Sequence, residues 1–240
     1  MRVLALCGSP RGEHSSTYHM LNPLLAGMED AGAKTELVLL SKLKMNHCTG
    51  CYTCWTKTPG SCIHNDGVDE VLSKFVAVDL IIFGTPLYHF TMSGLLKDFI
   101  DRTLPLYEPW LVEDKNRPGL SGHPPRFSLP ESAMLLCPCG FPEMGHFDPF
   151  VKWFEEYVRI FGWKYLGAIL RPGAEILSKD NFQHYLKGYY DDLRQAGQEI
   201  VQLGGVTEEL GKRLTADLFP GGAETFRKTA NDYWARMRGK

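Results

Sequence analysis

Five short apolar runs punctuate the chain, at residues 2–7, 35–40, 78–83, 133–137 and 165–170. Four of them lack the strict alternation of a half-exposed strand, as expected where helices cover both faces of a sheet. Helical spacing fills the gaps between them. Residues 15–31 place Tyr18, Leu21, Leu25 and Met28 on one face, with Pro23 inside the segment predicting a kink or a delayed start. Residues 93–101 gather Leu95, Leu96, Phe99 and Ile100, and residues 148–161 repeat Phe150, Phe154, Val158 and Phe161. Residues 182–203 give the longest stripe: Tyr185, Tyr189, Leu193, Ala196, Ile200 and Leu203. These stripes read as core. Strand and helix alternate throughout, and parallel strands need crossover helices, so the pattern predicts an α/β, doubly wound, five-stranded parallel sheet.

Two segments interrupt it. Residues 44–66 carry cysteines, and residues 102–132 carry six prolines and read as too polar for a strand. A loop of that length inside a compact domain is usually a lid or an interface. Its Tyr107, Trp110 and Leu111 predict a homo-oligomer contact. Residues 1–204 are expected to form one domain, with 205–240 as its helical extension of one or two helices.

Composition removes several classes of function. The 240 residues are 44% hydrophobic and carry a net charge of −2 with no long run of one sign, which argues against nucleic-acid or anionic-membrane partners. No stretch nears the roughly 18 apolar residues of a membrane span. Val3-Leu4-Ala5-Leu6-Cys7 is shorter than the about 7–15 residues of a secretory apolar region, and Gly8-Ser9-Pro10-Arg11 cuts it off. The expected compartment is therefore a reducing cytoplasm, where clustered cysteines favour metal or redox chemistry over disulfides.

Cys48-x2-Cys51-x2-Cys54-x7-Cys62 puts four thiols into 15 residues. Two sulfurs at C-x-x-C spacing can chelate one metal, and here the spacing repeats, as at the start of bacterial ferredoxin ligation. Pro59-Gly60 can turn the chain so that Cys62 supplies a fourth thiolate. A [4Fe–4S] cluster, zinc and redox-active thiols all stay open on spacing alone. Cys137 and Cys139 lack the C-x-x-C redox spacing and read as packing.

Ligands of doubly wound folds bind at the carboxyl ends of strands. Three loops fall there. The first, Gly8 to Thr17, offers Ser9, Arg11, Ser15, Ser16 and Thr17 at a helix start, which suits a phosphate. The second, Gly84 to Gly94, offers Pro86, Leu87, Tyr88, His89, Thr91 and Ser93, which suit a planar heterocycle. The third, after Cys137, contains Gly140 and Phe141.

Cys7-Gly8-Ser9-Pro10-Arg11, Gly84-Thr85-Pro86-Leu87-Tyr88 and Met92-Ser93-Gly94-x-x-Lys97-x-x-x-Asp101-Arg102 together resemble the flavodoxin-like NAD(P)H-dependent FMN reductases. The cysteine spacing and Gly140-Phe141-Pro142-Glu143 are similar to the iron–sulfur flavoproteins of that family. The resemblance covers residues 1 to about 170. It implies FMN, with its phosphate on Ser9, Arg11, Ser15, Ser16 and Thr17. The ring would lie along Pro86, Leu87, Tyr88 and His89, near Thr91 and Ser93, closed by Gly140 and Phe141. It also implies NAD(P)H as co-substrate, an electron acceptor that the motifs leave open, and a [4Fe–4S] cluster on Cys48, Cys51, Cys54 and Cys62. No catalytic side chain is singled out. An FMN carrier without nicotinamide activity and a zinc-stapled interaction domain are the alternative readings.

Overall fold

The computed structural model describes residues 1–179, 182–218 and 221–239. In chain order the elements are β1 (Arg2–Cys7), α1 (Ser16–Asp30), β2 (Lys34–Leu39), α2 (Thr53–Thr56), α3 (Val68–Phe75), β3 (Leu80–Gly84) and α4 (Gly94–Asp101). They continue with β4 (Val112–Glu113), β5 (Ser121–Gly122), β6 (Ser132–Pro138), α5 (Asp148–Ile160), β7 (Lys164–Arg171), α6 (Lys187–Leu203), α7 (Glu208–Thr215) and α8 (Gly222–Met237). The long strands form one parallel sheet in the order β2-β1-β3-β6-β7. This is the flavodoxin-like order, whose topological switch point lies between β1 and β3.

Side chains of β1 alternate between two cores. Val3, Ala5 and Cys7 join α1, α6 and α7, while Leu4 and Leu6 join α3, α4 and α5. Both layers are apolar, which is why the strands lack an exposed face. Helices α1 and α6 touch backbone to backbone: a Cβ added to Gly197 would sit 2.1 Å from the Leu24 carbonyl, and one on Gly27 1.8 Å from that of Arg194. Only glycine permits that approach.

Three expectations need correction, and one helix went unread. Pro23 does not delay α1, which is assigned helix without a break from the Ser15 cap through Pro23 to Asp30. A proline costs one amide bond and a local clash, and packing of Leu21, Leu24 and Leu25 offsets it. The 182–203 stripe is helical only from Lys187. Residues 182–186 pass through tight turns with i to i−3 bonds, so Tyr185 swings out and is 72% exposed, and Leu203 is also exposed at the far end. The 102–132 loop contains a two-stranded antiparallel hairpin, β4 with β5, tied by Asp114 accepting from the Asn116 amide and Arg117 Nε. Helix α3 escaped the sequence reading, although Val68, Val71, Leu72 and Phe75 mark its buried face.

Candidate functional site

The carboxyl ends of β1, β3, β6 and β7 converge on one set of loops. The Gly8 amide donates to the Gly84 carbonyl at 2.7 Å, and the Ser93 hydroxyl donates to the Gly8 carbonyl at 2.5 Å. Ser93 also caps α4 by accepting from the Leu96 amide, and its own amide donates to Thr85 Oγ1. A Cβ on Gly8 would lie 2.8 Å from Leu96 Cβ, so this packing demands glycine. Ser93 thus bolts the first loop to the second.

At the start of α1 the hydroxyls divide into two groups. Ser15 accepts from the Tyr18 amide and donates to the Gly12 carbonyl, and Ser16 donates to the Ala174 carbonyl at 2.7 Å. Thr17 differs: its side chain is 1% exposed and Oγ1 has no partner among the described residues. The first amides of a helix have no carbonyl behind them and carry its positive dipole end. A buried orphan hydroxyl beside free amides fits a phosphate. Ser9 is buried close by, and exposed Arg11 stands 3.9 Å from Glu175.

The second loop folds back on itself. Tyr88 and Thr91 exchange amide–carbonyl bonds at 2.9 and 3.0 Å around His89 and Phe90, whose φ angles are +46° and +63°. Left-handed backbone at non-glycine residues costs on the order of 1–3 kcal/mol each and collects at ligand sites. The strain turns Tyr88, His89 and Phe90 outward, all exposed. The Phe90 ring lies parallel to Phe141 of the third loop, centroids 6.4 Å apart at 3°, and His146 sits 4.4 Å from Phe141. Leu87 donates to the Pro138 carbonyl and Phe141 to Cys139 Sγ, which lays the two loops side by side. Pro86 and Leu87 are half-buried, while Thr91 and Gly140 are exposed. Phe90 and His146 were not foreseen, because nothing in their local sequence separates them from ordinary loop aromatics. Arg227 of α8 pairs with Glu143, which brings the C-terminal helix to this rim. Burial pushes the Cys7, Cys137 and Cys139 thiols up, so they pack as neutral groups.

The four clustered cysteines line one shallow cavity with His64, Asp101, Arg102, Leu104 and Pro105. Cys48 and Cys51 are exposed, Cys62 is half-buried and Cys54 is buried. A hydrogen bond with Thr53 lowers the Cys51 thiol, whereas burial raises that of Cys54. Trp55 of α2 docks the segment by donating to the Leu104 carbonyl and packing on Tyr52 and His123. Two nitrogens of this lining, His64 Nε2 and Arg102 Nε, are buried without a partner among the described residues. Donors of that kind suit sulfur or thiolate acceptors. Among the described residues no three His, Cys, Asp or Glu gather as a single ion requires. By ligand type, the four thiols lining this cavity match a cluster held through four thiolates.

Fold and loops together define a flavodoxin-like protein with a phosphate-ready first loop and an aromatic rim. Residues 1–118 match the family model of the NADPH-dependent FMN reductases. An iron–sulfur flavoprotein of Archaeoglobus fulgidus is 36% identical over 105 residues, 44% of this chain and 46% of that protein. One from Methanocaldococcus jannaschii is 38% identical over 106 residues, 44% of this chain and 53% of that protein. The chain thus spans about half the length of these curated relatives. The FMN-dependent NADH-azoreductase of Bacillus anthracis, solved with FMN, shares the fold at a TM-score of 0.59 and 12% identity, covering 84% of this chain and all of that one. The NAD(P)H:quinone oxidoreductase of Methanothermobacter marburgensis does so at 0.58 and 19%, covering 83% and 98%. No helix among the described residues is long and apolar enough to cross a membrane.

Proposed function

We propose that this protein is an FMN-dependent oxidoreductase that takes electrons from NAD(P)H and passes them to an acceptor through a [4Fe–4S] cluster on Cys48, Cys51, Cys54 and Cys62. The observation that carries the flavin reading is the partnerless, buried Thr17 hydroxyl at the start of α1, beside the β1–β3 switch point. When bound, FMN supplies a two-electron hydride acceptor and the cluster a one-electron carrier. The chain supplies position. Ser9, Arg11, Thr17 and the amides of Ser15 and Ser16 hold the phosphate. Pro86, Leu87, Tyr88, His89 and Thr91 line the ring, Ser93 fixes their loop, and Gly140 with Phe141 closes the pocket against Phe90.

The body that binds FMN is residues 1–204, and 205–240 is its extension, reaching the rim through Arg227. Trp110 and Leu111 are 67% and 72% exposed on the 102–132 segment, which supports a homo-oligomer through that face. Anaerobic reconstitution tests the assignment. One FMN per chain, bleached by NAD(P)H, and about four irons and four labile sulfides are expected. Stoichiometric flavin without iron removes the cluster and leaves the reductase. Iron without flavin removes the reductase.

A further inference from the structure

Arg102 is the buried charge in the wall of the cysteine cavity, 1% exposed. Its guanidinium forks onto Asp66, with NH1 to Oδ2 at 2.7 Å and NH2 to Oδ1 at 3.0 Å, and NH1 also donates to the Asn46 carbonyl. Asp66 is held in turn by the Asn46 amide and side chain. Every nitrogen of the fork except Nε is therefore committed away from the thiols, and Nε is the orphan. The other charged groups of the wall are weaker influences. Asp101 is exposed and neutralised by Lys97 at 2.7 Å, and His64 is a half-buried ring. Cys62 and the other three thiols line the same cavity as Arg102, which sets the guanidinium beside them.

We propose that the Arg102–Asp66 pair is a fixed, buried dipole, positive end toward the thiolates, that sets the reduction potential of the iron–sulfur group they hold. This rests on the cluster reading above. Four thiolates make such a site anionic, and reduction adds one more negative charge. A positive charge nearby therefore favours the reduced form, and a negative one opposes it. Arg102 is always charged, and Asp66, on which its fork closes, is not part of the thiol cavity's lining. The two ends of the dipole must act with opposite sign.

The test is a potentiometric titration followed by electron paramagnetic resonance on anaerobically reconstituted wild type, Arg102→Gln and Asp66→Asn. Arg102→Gln should lower the reduced-to-oxidised ratio at a fixed potential by tenfold or more, and Asp66→Asn should raise it. Tenfold corresponds to 59 mV for one electron. Arg102→Lys should stay within threefold of wild type. The double variant Arg102→Gln/Asp66→Asn leaves no unpaired buried ion and serves if Arg102→Gln does not fold. It should fall below Asp66→Asn. Shifts of the same sign, or below threefold in both single variants, overturn the dipole while leaving the cluster. A wild type that takes up no iron and sulfide overturns the cluster reading, and the dipole with it.

Discussion

The carboxyl-edge loops and the cysteine segment are both inserted between sheet elements, yet they are built in opposite ways. In the loops nearly every polar side chain has a protein partner. Ser15, Ser16, Thr85 and Ser93 are buried and bonded to named backbone groups, Ser16 and Ser93 to those of other loops. The buried hydroxyl of Thr17 has no partner among the described residues. In the cysteine segment the chemical groups are the loosely held part, with Cys48 and Cys51 exposed. What is rigid there is the anchoring: the Arg102–Asp66 fork and the Trp55 dock. The first site is shaped by the fold before a ligand arrives. The second is pinned at its ends, and in the proposed reading it takes its inner shape from the cluster.

Arg102→Ala breaks that comparison at its weakest joint. Removing one partner of a buried, forked pair leaves an unpaired carboxylate and costs about 3–5 kcal/mol. Denaturant unfolding should show a loss of that size, the largest expected here. In the fraction still folded, flavin affinity should be unchanged, because the fork touches none of the carboxyl-edge loops. A parallel loss of flavin would show that the two sites are one cooperative unit.

Gly197→Ala attacks the other region. Its new Cβ would meet the Leu24 carbonyl at 2.1 Å, so α6 must move away from α1. Overpacking of this kind costs about 1–3 kcal/mol. Moving α1 also moves its first turn, so flavin binding should weaken along with stability, while iron and sulfide content should hold. The opposite outcome, iron lost and flavin kept, would reverse the assignment of the sites.

Acid should separate the regions by the same logic. Burial tends to raise the Asp66 carboxyl, but hydrogen bonds from Arg102 and Asn46 outweigh it and hold it well below the usual carboxylate range. A depressed carboxylate stabilises the folded state fully above its unfolded pKa of about 3.9, and the gain is lost as pH falls toward the folded value. Between about pH 4 and pH 2 the wild type should therefore lose stability more steeply than Asp66→Asn. Equal slopes would show that Asp66 does not keep its depressed pKa in solution.

The sequence reveals these regions unequally. All five long strands and α4 and α5 were legible because apolar runs and helical stripes report burial directly. The three loops were legible because strand ends locate them once the sheet order is known. Pairing was not. That Ser16 bonds Ala174, 158 residues away, or that Asp66 meets Arg102, depends on tertiary packing that no local pattern encodes. The strained turn at His89 and Phe90 was hidden for a related reason. Histidine is enriched there but phenylalanine is not, and nothing local marks two successive left-handed residues, so only the folded loop shows that both adopt it.

Thr17→Val is the smallest expected change in stability and the sharpest test of the first region. Valine keeps the shape of threonine and removes only the hydroxyl. Where a hydroxyl has a buried partner, that swap strands the partner and costs about 1–3 kcal/mol. Thr17 has none among the described residues, so the variant should unfold within about 0.5 kcal/mol of wild type, or slightly later, because an unsatisfied polar atom has been removed. Flavin titration should show the reverse. A hydrogen bond to a charged phosphate contributes roughly 1.5–3 kcal/mol, so FMN affinity should fall by at least tenfold. The contrast is what matters. A structural hydroxyl would lose stability and leave binding alone, and a hydroxyl kept for a ligand does the opposite. If Thr17→Val unfolds early and binds FMN as wild type does, the orphan atom has a partner inside the protein and the phosphate belongs elsewhere.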